Sequence, residues 1–143
     1  MIREALYSDA RAITRLLIET WRSMPYGHIP VDRARLARTV HTYLVGGDEM
    51  FSWVSDRGGV GGVLLASLAP LDMAVGTAAS DQAFICRTGE GAALVRAYKR
   101  WAEEQGAALV TLSVSSRNER AERLIGRLGF EHVGGNYQLR TGQ

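Results

Sequence analysis

Apolar positions recur along the chain with two different periods, and these periods predict an alternation of strands and helices. Residues 2–6 alternate apolar and polar positions, which predicts a first strand, and residues 50–55 and 60–68 predict two more. Between them, apolar residues fall on one face of each of two predicted helices. These two faces consist of Ile13, Leu16, Leu17, Thr20 and Trp21, and of Leu36, Val40, Tyr43 and Leu44.

Capping and turn residues set the predicted boundaries of these elements. Ser8 or Asp9 is expected to cap the first helix and Asp32 the second, because short polar side chains accept hydrogen bonds from first-turn amides. Glycines at 46 and 47 end the second helix, and the Asp-Arg-Gly-Gly sequence at 56–59 is typical of a tight hairpin. Residues 69–80 show no regular period, so an irregular and mobile segment is predicted there.

The second half of the chain alternates strands with helices. Strands are predicted at 83–86 and 108–114, helices at 93–105 and 117–128, and short final strands at 130–133 and 137–140. The predicted order is β-α-α-β-β-β-α-β-α-β-β within a single domain, residues 1–143. A strand-helix-strand order implies a parallel crossover, so the predicted fold class is α/β or α+β with a mixed central sheet.

Composition narrows the function classes. The 17 basic and 15 acidic side chains leave a net charge of +2, so only a basic pI near 9.0 and scattered arginines favour nucleic-acid binding. A single cysteine, Cys86, excludes an internal disulfide and suits a reducing compartment. We find no signal-peptide pattern or membrane-spanning apolar run and expect a cytoplasmic protein. His28, His41 and His132 lack metal-ligand spacing, so no metal site is predicted.

A glycine-bearing turn between the 83–86 strand and the next helix is the first candidate for chemistry. Gly89 and Gly91 stand where a helix begins, although a glycine inside a helix costs up to about 1 kcal/mol relative to alanine. Bare amides at a helix N-terminus can receive phosphate oxygens. The alternative is a tight strand-to-helix turn without a ligand.

Two sequence blocks together resemble the GNAT superfamily of N-acetyltransferases. The first, around Gly89 and Gly91, is similar to the family's Arg/Gln-x-x-Gly-x-Gly/Ala cofactor loop, although Arg87 stands two rather than three positions before Gly89. The second runs from Asn118 to Phe130 and matches the family's Asn-x-x-Ala-x-x-Leu-Tyr-x-x-x-Gly-Phe pattern, except that Ile125 replaces the tyrosine. The resemblance covers essentially the whole chain and also extends, more loosely, to compact phage and prophage acetyltransferases.

The resemblance implies acetyl-CoA as the cofactor. Backbone groups of Phe84, Ile85 and Cys86 would pair with the pantetheine arm, and Asn118 would hydrogen-bond the pantetheine or the thioester end. The pyrophosphate would lie against the turn, with a charge-assisted contact from Arg87. The remaining residues of this turn are Thr88, Gly89, Glu90, Gly91 and Ala92. Two alternatives stay open: Ser116 and Glu119 form a capping box that leaves Asn118 a bystander, and Cys86 is a small buried side chain.

Catalysis requires a base for the amine and a proton for the departing thiolate. Asp81 is the first candidate base and Glu49 the second, and Ser113 is a candidate for orienting a water molecule. Because Ile125 cannot donate a proton, Tyr137 is the substitute candidate acid, on the expectation that its strand returns beside the cofactor. The expected acceptor-lining residues are Trp21, Tyr26 and His28.

Two functions from different classes follow. The first is an N-acetyltransferase acting on a primary amine of a small molecule or peptide. The second is a catalytically degenerate module that binds CoA or a protein partner without turnover. The sequence does not identify the acceptor, and it leaves the oligomeric state open, a homodimer included.

Overall fold

A computed structural model describes residues 1–114 and 118–142. Five strands and four helices are formed in this part of the chain. The strands are β1 (Ile2–Glu4), β2 (Met50–Asp56), β3 (Val60–Pro70), β4 (Thr77–Cys86) and β5 (Leu109–Thr111). The helices are α1 (Ala10–Ser23), α2 (Arg33–Val45), α3 (Gly91–Glu104) and α4 (Glu119–Arg127).

The strands form one mixed sheet in the order β1-β2-β3-β4-β5. The first three pairings are antiparallel, whereas β4 and β5 are parallel and are connected through α3. The mixed α/β fold class and the parallel crossover are therefore confirmed. No helix in the described ranges is long and apolar enough to cross a membrane.

Two apolar clusters cover the two faces of the sheet. One packs β2, β3 and β4 against α3 and is centred on Phe51, Leu64 and Tyr98. The other packs β2 and β3 against α1 and α2 and includes Ile13, Val40, Val54, Val63 and Leu65. Helices thus cover both faces of the sheet. We therefore expect the polar groups of a functional site at the ends of the strands.

The connection between β3 and β4 differs from the irregular segment that the sequence predicts. The two strands continue as a long hairpin to the pair Pro70–Thr77, and the amide of Leu71 donates to the carbonyl of Gly76 at 2.9 Å. Gly76 has φ +119°, a conformation that suits glycine. The apolar pattern did not predict this pairing, because the paired residues are mostly small or polar. Backbone hydrogen bonds across a sheet require no apolar alternation.

The C-terminal part also differs from the prediction. Residues 130–142 form no strand, so the predicted strands at 130–133 and 137–140 are wrong. Helix α4 begins at Glu119 and ends at Arg127, and Gly129 with φ +95° follows it. Apolar alternation in the last fifteen residues was too short to specify a partner, and Val133, Tyr137 and Leu139 are exposed.

Candidate functional site

The site is built around a gap between the two parallel strands. Strand β4 has ten residues, but only Ala78, Ala79 and Ser80 pair with β5. Residues 81–86 continue beyond the last pair, Ser80–Thr111, with no strand beside them on that edge in the described ranges. Backbone amides and carbonyls on this edge are available to an extended ligand. The two parallel strands therefore separate beyond the pair Ser80–Thr111.

A β-bulge lies where the gap opens. Leu65 pairs with Ala83 and Ala66 pairs with Asp81, so Gln82 is an extra residue on β4. The extra residue reverses the alternation of side chains. Ala79 packs in the α3-side cluster before the bulge, and Phe84 and Cys86 pack there after it. The bulge therefore allows both halves of β4 to contribute apolar side chains to the same core.

Asp81 lies at this bulge and faces the opening. Its Oδ1 accepts a hydrogen bond from the amide of Ser113, which lies just beyond the end of β5, at 3.0 Å. Burial raises the pKa of the Asp81 carboxyl above its ordinary value, and the hydrogen bonds from Ser113 oppose that rise. A carboxyl with a raised pKa at a strand gap has the properties of a proton acceptor.

Tyr98 of α3 contacts the end of β5 at the same opening. Its side chain is fully buried, and its hydroxyl donates to the carbonyl of Thr111 at 2.8 Å. Burial raises the pKa of Tyr98, and the nearby charge of Asp81 raises it further. Tyr98 stays a protonated donor and holds the end of β5 against α3, where the two strands part.

The turn after β4 leaves backbone donors without an acceptor. The Arg87 amide donates to the Gly61 carbonyl at 2.9 Å, and Gly89 adopts φ +87° with open space beside its α-carbon. Among the described residues, no acceptor pairs with the amides of four positions in the turn and at the start of α3. These are Thr88, Gly89, Gly91 and Ala92. Together with the positive end of α3 they form a set of donors suited to an anion.

Gly91 has a packing role that the sequence did not reveal. It is buried, and a β-carbon at this position would lie 3.4 Å from Phe84 and 3.6 Å from Cys86. The missing side chain would therefore point toward β4 and not toward the unpaired amides. Gly89 and Gly91 serve different purposes: one allows the turn, and the other allows α3 to approach the sheet.

Charged side chains around the turn are paired with each other. Arg87 forms an ion pair with Glu19 of α1 at 2.7 Å, with both side chains about half exposed. The carboxylate of Glu90 accepts hydrogen bonds from Ser55 at 2.6 Å and from the amino group of Met1 at 2.9 Å. Glu90 makes no capping bond to α3. Its negative charge is directed away from the unpaired amides.

Asn118 is the N-cap of α4. Its Oδ1 accepts a hydrogen bond from the amide of Ala121 at 3.1 Å. The competing capping box depends on Ser116, which lies outside the described residues. Capping occupies the Asn118 oxygen and leaves its amide group as the part that can address a ligand. Ile125, at the position of the family's tyrosine, is 7% exposed.

The expected acceptor-lining residues are partly brought together. The rings of Trp21 and Tyr26 are 4.3 Å apart, and the indole N–H of Trp21 donates to the carbonyl of Ile29 at 2.9 Å. These contacts fix the connection between α1 and α2. His28 lies in the same connection and is exposed.

Two of the expected catalytic residues are less well situated. Tyr137 is fully exposed, in a segment that forms no strand, so the reason for placing it beside the cofactor is wrong. Glu49 lies in an exposed one-turn 3₁₀ helix, Gly47–Glu49, before β2. Asp81 alone among the three has both a raised pKa and a position at the gap.

A separate cavity of about 670 Å³ lies between α1 and α2. Four arginines line it, Arg11, Arg15, Arg22 and Arg33. A smaller one of about 320 Å³ adjoins the turn and is lined in part by Gly61 and Arg87. The larger cavity is not the candidate active site, because neither Asp81 nor any residue of the 87–92 turn lines it. In the described ranges no three His, Cys, Asp or Glu side chains lie close enough to hold a metal ion.

Three features near the site were not predicted from the sequence: Ser55, Tyr98 and the glycine pair Gly61–Gly62. Ser55 and Tyr98 are isolated polar groups in apolar segments, and nothing local to either indicated a partner. The signal for the glycines was available, since two glycines inside a strand mark close approach of another group. Here that group is Thr88, whose methyl carbon would lie 2.8 Å from a β-carbon at position 61.

Solved structures match the fold over nearly the full chain, whereas no family model and no curated protein matches the sequence. AAC(6')-Iy in complex with the bisubstrate analogue CoA-S-monomethyl-acetylneamine has a TM-score of 0.71 at 19% identity, covering 99% of this chain and 97% of that one. Glucosamine-6-phosphate N-acetyltransferase from Arabidopsis thaliana has a TM-score of 0.72 at 14% identity, with coverages of 99% and 97%. A transcriptional regulator from Bacillus halodurans C-125 has a TM-score of 0.73 at 19% identity and covers 98% of each chain. The protein therefore has the fold of the GNAT acetyltransferases.

Proposed function

We propose that the protein is an acetyl-CoA-dependent N-acetyltransferase that acts on a primary amine of a small molecule or peptide. The proposal rests on one observation, a continuous row of unpaired backbone groups along β4 and the turn that follows it. The unpaired edge of β4 over residues 81–86 leads directly into the unpaired amides of the 87–92 turn. A row of this kind suits a ligand with an extended amide-bearing arm and a diphosphate.

The residues present fit such a cofactor. The amides of Thr88, Gly89, Gly91 and Ala92 supply donors for phosphate oxygens at a helix N-terminus. Glu90, the acidic residue of this turn, accepts a hydrogen bond from Ser55 and makes no capping bond to α3. The backbone of Phe84, Ile85 and Cys86 would hold the pantetheine arm, and Asn118 would contact its end. Acetyl-CoA, when bound, supplies an acyl group activated as a thioester.

Asp81 is the proposed base. An alkylammonium ion has no free lone pair, so the acceptor amine must lose a proton before it attacks. The Asp81 carboxylate stands at the mouth of the gap and takes this proton, directly or through a water molecule. Burial raises the pKa of this group, which makes it a stronger proton acceptor than an exposed aspartate.

Amino sugars are the acceptors to be tested first. The names of two structural neighbours include acetylneamine and glucosamine-6-phosphate, both of which derive from amino sugars. The half-buried pair of Trp21 and Tyr26, with His28 beside it, offers aromatic surface with polar tips where we expect the acceptor. Such surfaces suit a sugar face as well as a peptide N-terminus.

Ile125 favours a second candidate, a module that binds CoA or a protein partner without turnover. The side chain at this position is buried and cannot donate a proton, and Tyr137 is fully exposed. A fold neighbour described as a transcriptional regulator is in keeping with this alternative.

Two measurements separate the candidates. Isothermal titration with acetyl-CoA tests binding, and no heat of binding at millimolar ligand would contradict the enzyme and the CoA-binding module together. Thiol release from acetyl-CoA, followed with a chromogenic reagent over a panel of amino sugars, polyamines and peptides, tests turnover. Release that depends on one amine supports the transferase, whereas binding without release across the panel supports the module.

A further inference from the structure

A chain of hydroxyl groups connects β2 to the turn that follows β4. Ser55 of β2 is fully buried, and its Oγ lies 2.5 Å from the Oγ1 of Thr88 and 2.6 Å from a carboxylate oxygen of Glu90. The thiol of Cys86 lies 3.3 Å from the same Thr88 oxygen. Two polar side chains of the turn, Thr88 and Glu90, thus contact one serine of β2, and Cys86 joins them through Thr88.

The direction of these hydrogen bonds follows from their chemistry. An ionised carboxylate only accepts, so Ser55 donates its one proton to Glu90. The Ser55 oxygen must then accept from Thr88, whose hydroxyl donates. The Thr88 oxygen in turn accepts from the Glu90 amide at 3.3 Å and from the Cys86 thiol. Every hydroxyl proton in the chain is directed toward Glu90.

Two glycines of β3 leave the space that this chain occupies. A β-carbon at Gly61 would lie 2.8 Å from the methyl group of Thr88. A β-carbon at Gly62, which pairs with Ser55 across the sheet, would lie 3.0 Å from the Ser55 β-carbon and 3.1 Å from the Cys86 sulfur. Glycine weakens a strand interior, so the arrangement of Ser55 and Thr88 is maintained at a cost to β3.

Glu90 lies at the N-terminus of α3, so the direction of its side chain affects the proposed anion site. Glu90 is the N-cap of α3, a position at which a side-chain oxygen can accept hydrogen bonds from first-turn amides and a negative charge is favoured by the helix dipole. Turned that way, its carboxylate would compete for the amides of the first turn, such as that of Ala92, and would repel an anion. It is instead bonded to Ser55 and Met1 and lies 3.6 Å from the Nε of Arg57. The hydrogen bond from Ser55 is the largest cause of the lowered pKa of Glu90.

We infer that Ser55 is a positioning residue that keeps the Glu90 carboxylate away from the α3 amides and so keeps the anion site open. The inference rests on the proposed function, in which that anion is the diphosphate of CoA. Ser55 itself does not contact the ligand. Its hydroxyl acts through Glu90. Without that hydroxyl, the Glu90 carboxylate would turn toward the phosphates and repel them.

A double-variant cycle with coenzyme A as the probe tests this inference. Ser55→Ala should weaken CoA binding about tenfold, the effect of one charge brought near a partly exposed anion. Glu90→Gln should bind CoA at least as tightly as the wild type, and the double variant Ser55→Ala/Glu90→Gln should recover wild-type affinity. Glu104→Gln, at the other end of α3, makes the same charge change and should leave affinity unchanged.

A second readout does not depend on the cofactor. In Ser55→Ala the pKa of the Glu90 carboxyl, followed by NMR, should rise toward its ordinary value, because a donor to the charged form is gone. Circular dichroism identifies any variant that fails to fold, and the single variant Glu90→Gln then carries the test by itself.

The outcomes are distinguishable. Wild-type affinity in Ser55→Ala, or weak binding that Glu90→Gln does not restore, would overturn the inference while leaving the proposed function intact. Weak binding by Glu90→Gln alone would also overturn it, because the carboxylate would then be needed in the turn. A wild-type protein that does not bind CoA would refute the proposed function first, and the inference would fail with it.

Discussion

The carboxylate of Asp81 accepts a hydrogen bond from the amide of Ser113 at 3.0 Å, across the point where β4 and β5 separate. This contact connects the two strands after their backbone pairing has ended at Ser80 and Thr111. It also places an ionisable group with a raised pKa at the opening. Replacements of Asp81 should therefore affect both proton transfer and stability.

Asp81→Asn should abolish most of the amine-dependent thiol release, because asparagine accepts the Ser113 bond but takes no proton. General base catalysis contributes about a hundredfold or more to rate. In the wild type, kcat/KM should rise with pH through the raised pKa of Asp81, and this limb should be absent from the variant. A pH profile of the variant that matches the wild type in shape would exclude Asp81 as the base.

The same substitution should stabilise the fold at neutral pH. A carboxyl whose pKa is raised on folding binds more protons in the native state, so its contribution to the free energy of unfolding falls as pH rises from about 3.8 to the raised value. Asp81→Asn removes this loss. Urea denaturation of both proteins should show a difference that grows over this window, and a difference independent of pH would contradict the burial of Asp81.

Ala92→Glu should weaken CoA binding without destabilising α3. An acid in the first helical turn interacts favourably with the helix dipole, yet it adds a negative charge among the amides expected to hold phosphate. Ala92→Gln has nearly the same shape and no charge, so it is the matched control. Titration calorimetry at low and high salt should show a difference between the two variants that shrinks as salt rises. Equal affinities at low salt would contradict the placement of the diphosphate.

Arg3→Met should lower the free energy of unfolding by about 2 kcal/mol, because it leaves the nearly buried Asp9 carboxylate without its bidentate partner. Arg100→Met, at an exposed position of α3, is the control and should change stability little. The hydrogen bond from Arg3 lowers the pKa of Asp9, so this stabilisation is present above about pH 3.8 and is lost as pH falls through the lowered value. Denaturation at pH 7 and pH 3 should therefore show a smaller effect of Arg3→Met in acid.

Tyr98→Phe should cost about 1 kcal/mol of stability, since it removes the hydrogen bond from a buried hydroxyl to the Thr111 carbonyl. Hydrogen exchange should show faster exchange in β5 than in β3 for this variant. Uniform change over both strands would indicate a general loss of packing and no specific support of the gap.

The elements predicted correctly from the sequence are those with long apolar periods. Helices α1, α2 and α3 present such a face over three or more turns, and Asp32 caps α2 as expected, with its Oδ1 accepting from the Arg35 amide. The β3–β4 extension and the C-terminal residues could not be predicted in this way. Pairing in the first is carried by backbone bonds among small residues, and the last fifteen residues have too few apolar positions to fix a register.

The candidate site was predictable where it depends on backbone and much less where it depends on side chains. Glycines and a helix start indicated the 87–92 turn, because backbone exposure leaves a compositional trace. The orientation of Glu90 and the contact between Tyr98 and Thr111 join residues distant in sequence, and only the folded chain brings them together. For the same reason the packing of Gly91 against Phe84 could not be told from a ligand-binding role.

Gly61 and Gly62 also limit the substitutions that this sequence can accept during evolution. Any replacement there, alanine included, meets atoms that belong to another strand or to the turn beyond β4. Both positions are thus constrained by partners distant in sequence. A smaller side chain at Thr88 would relieve Gly61, whereas a β-carbon at Gly62 would also lie 3.2 Å from the backbone oxygen of Ile85. A saturation mutagenesis survey of β3 should find these two sites among its least permissive, although neither carries a side chain.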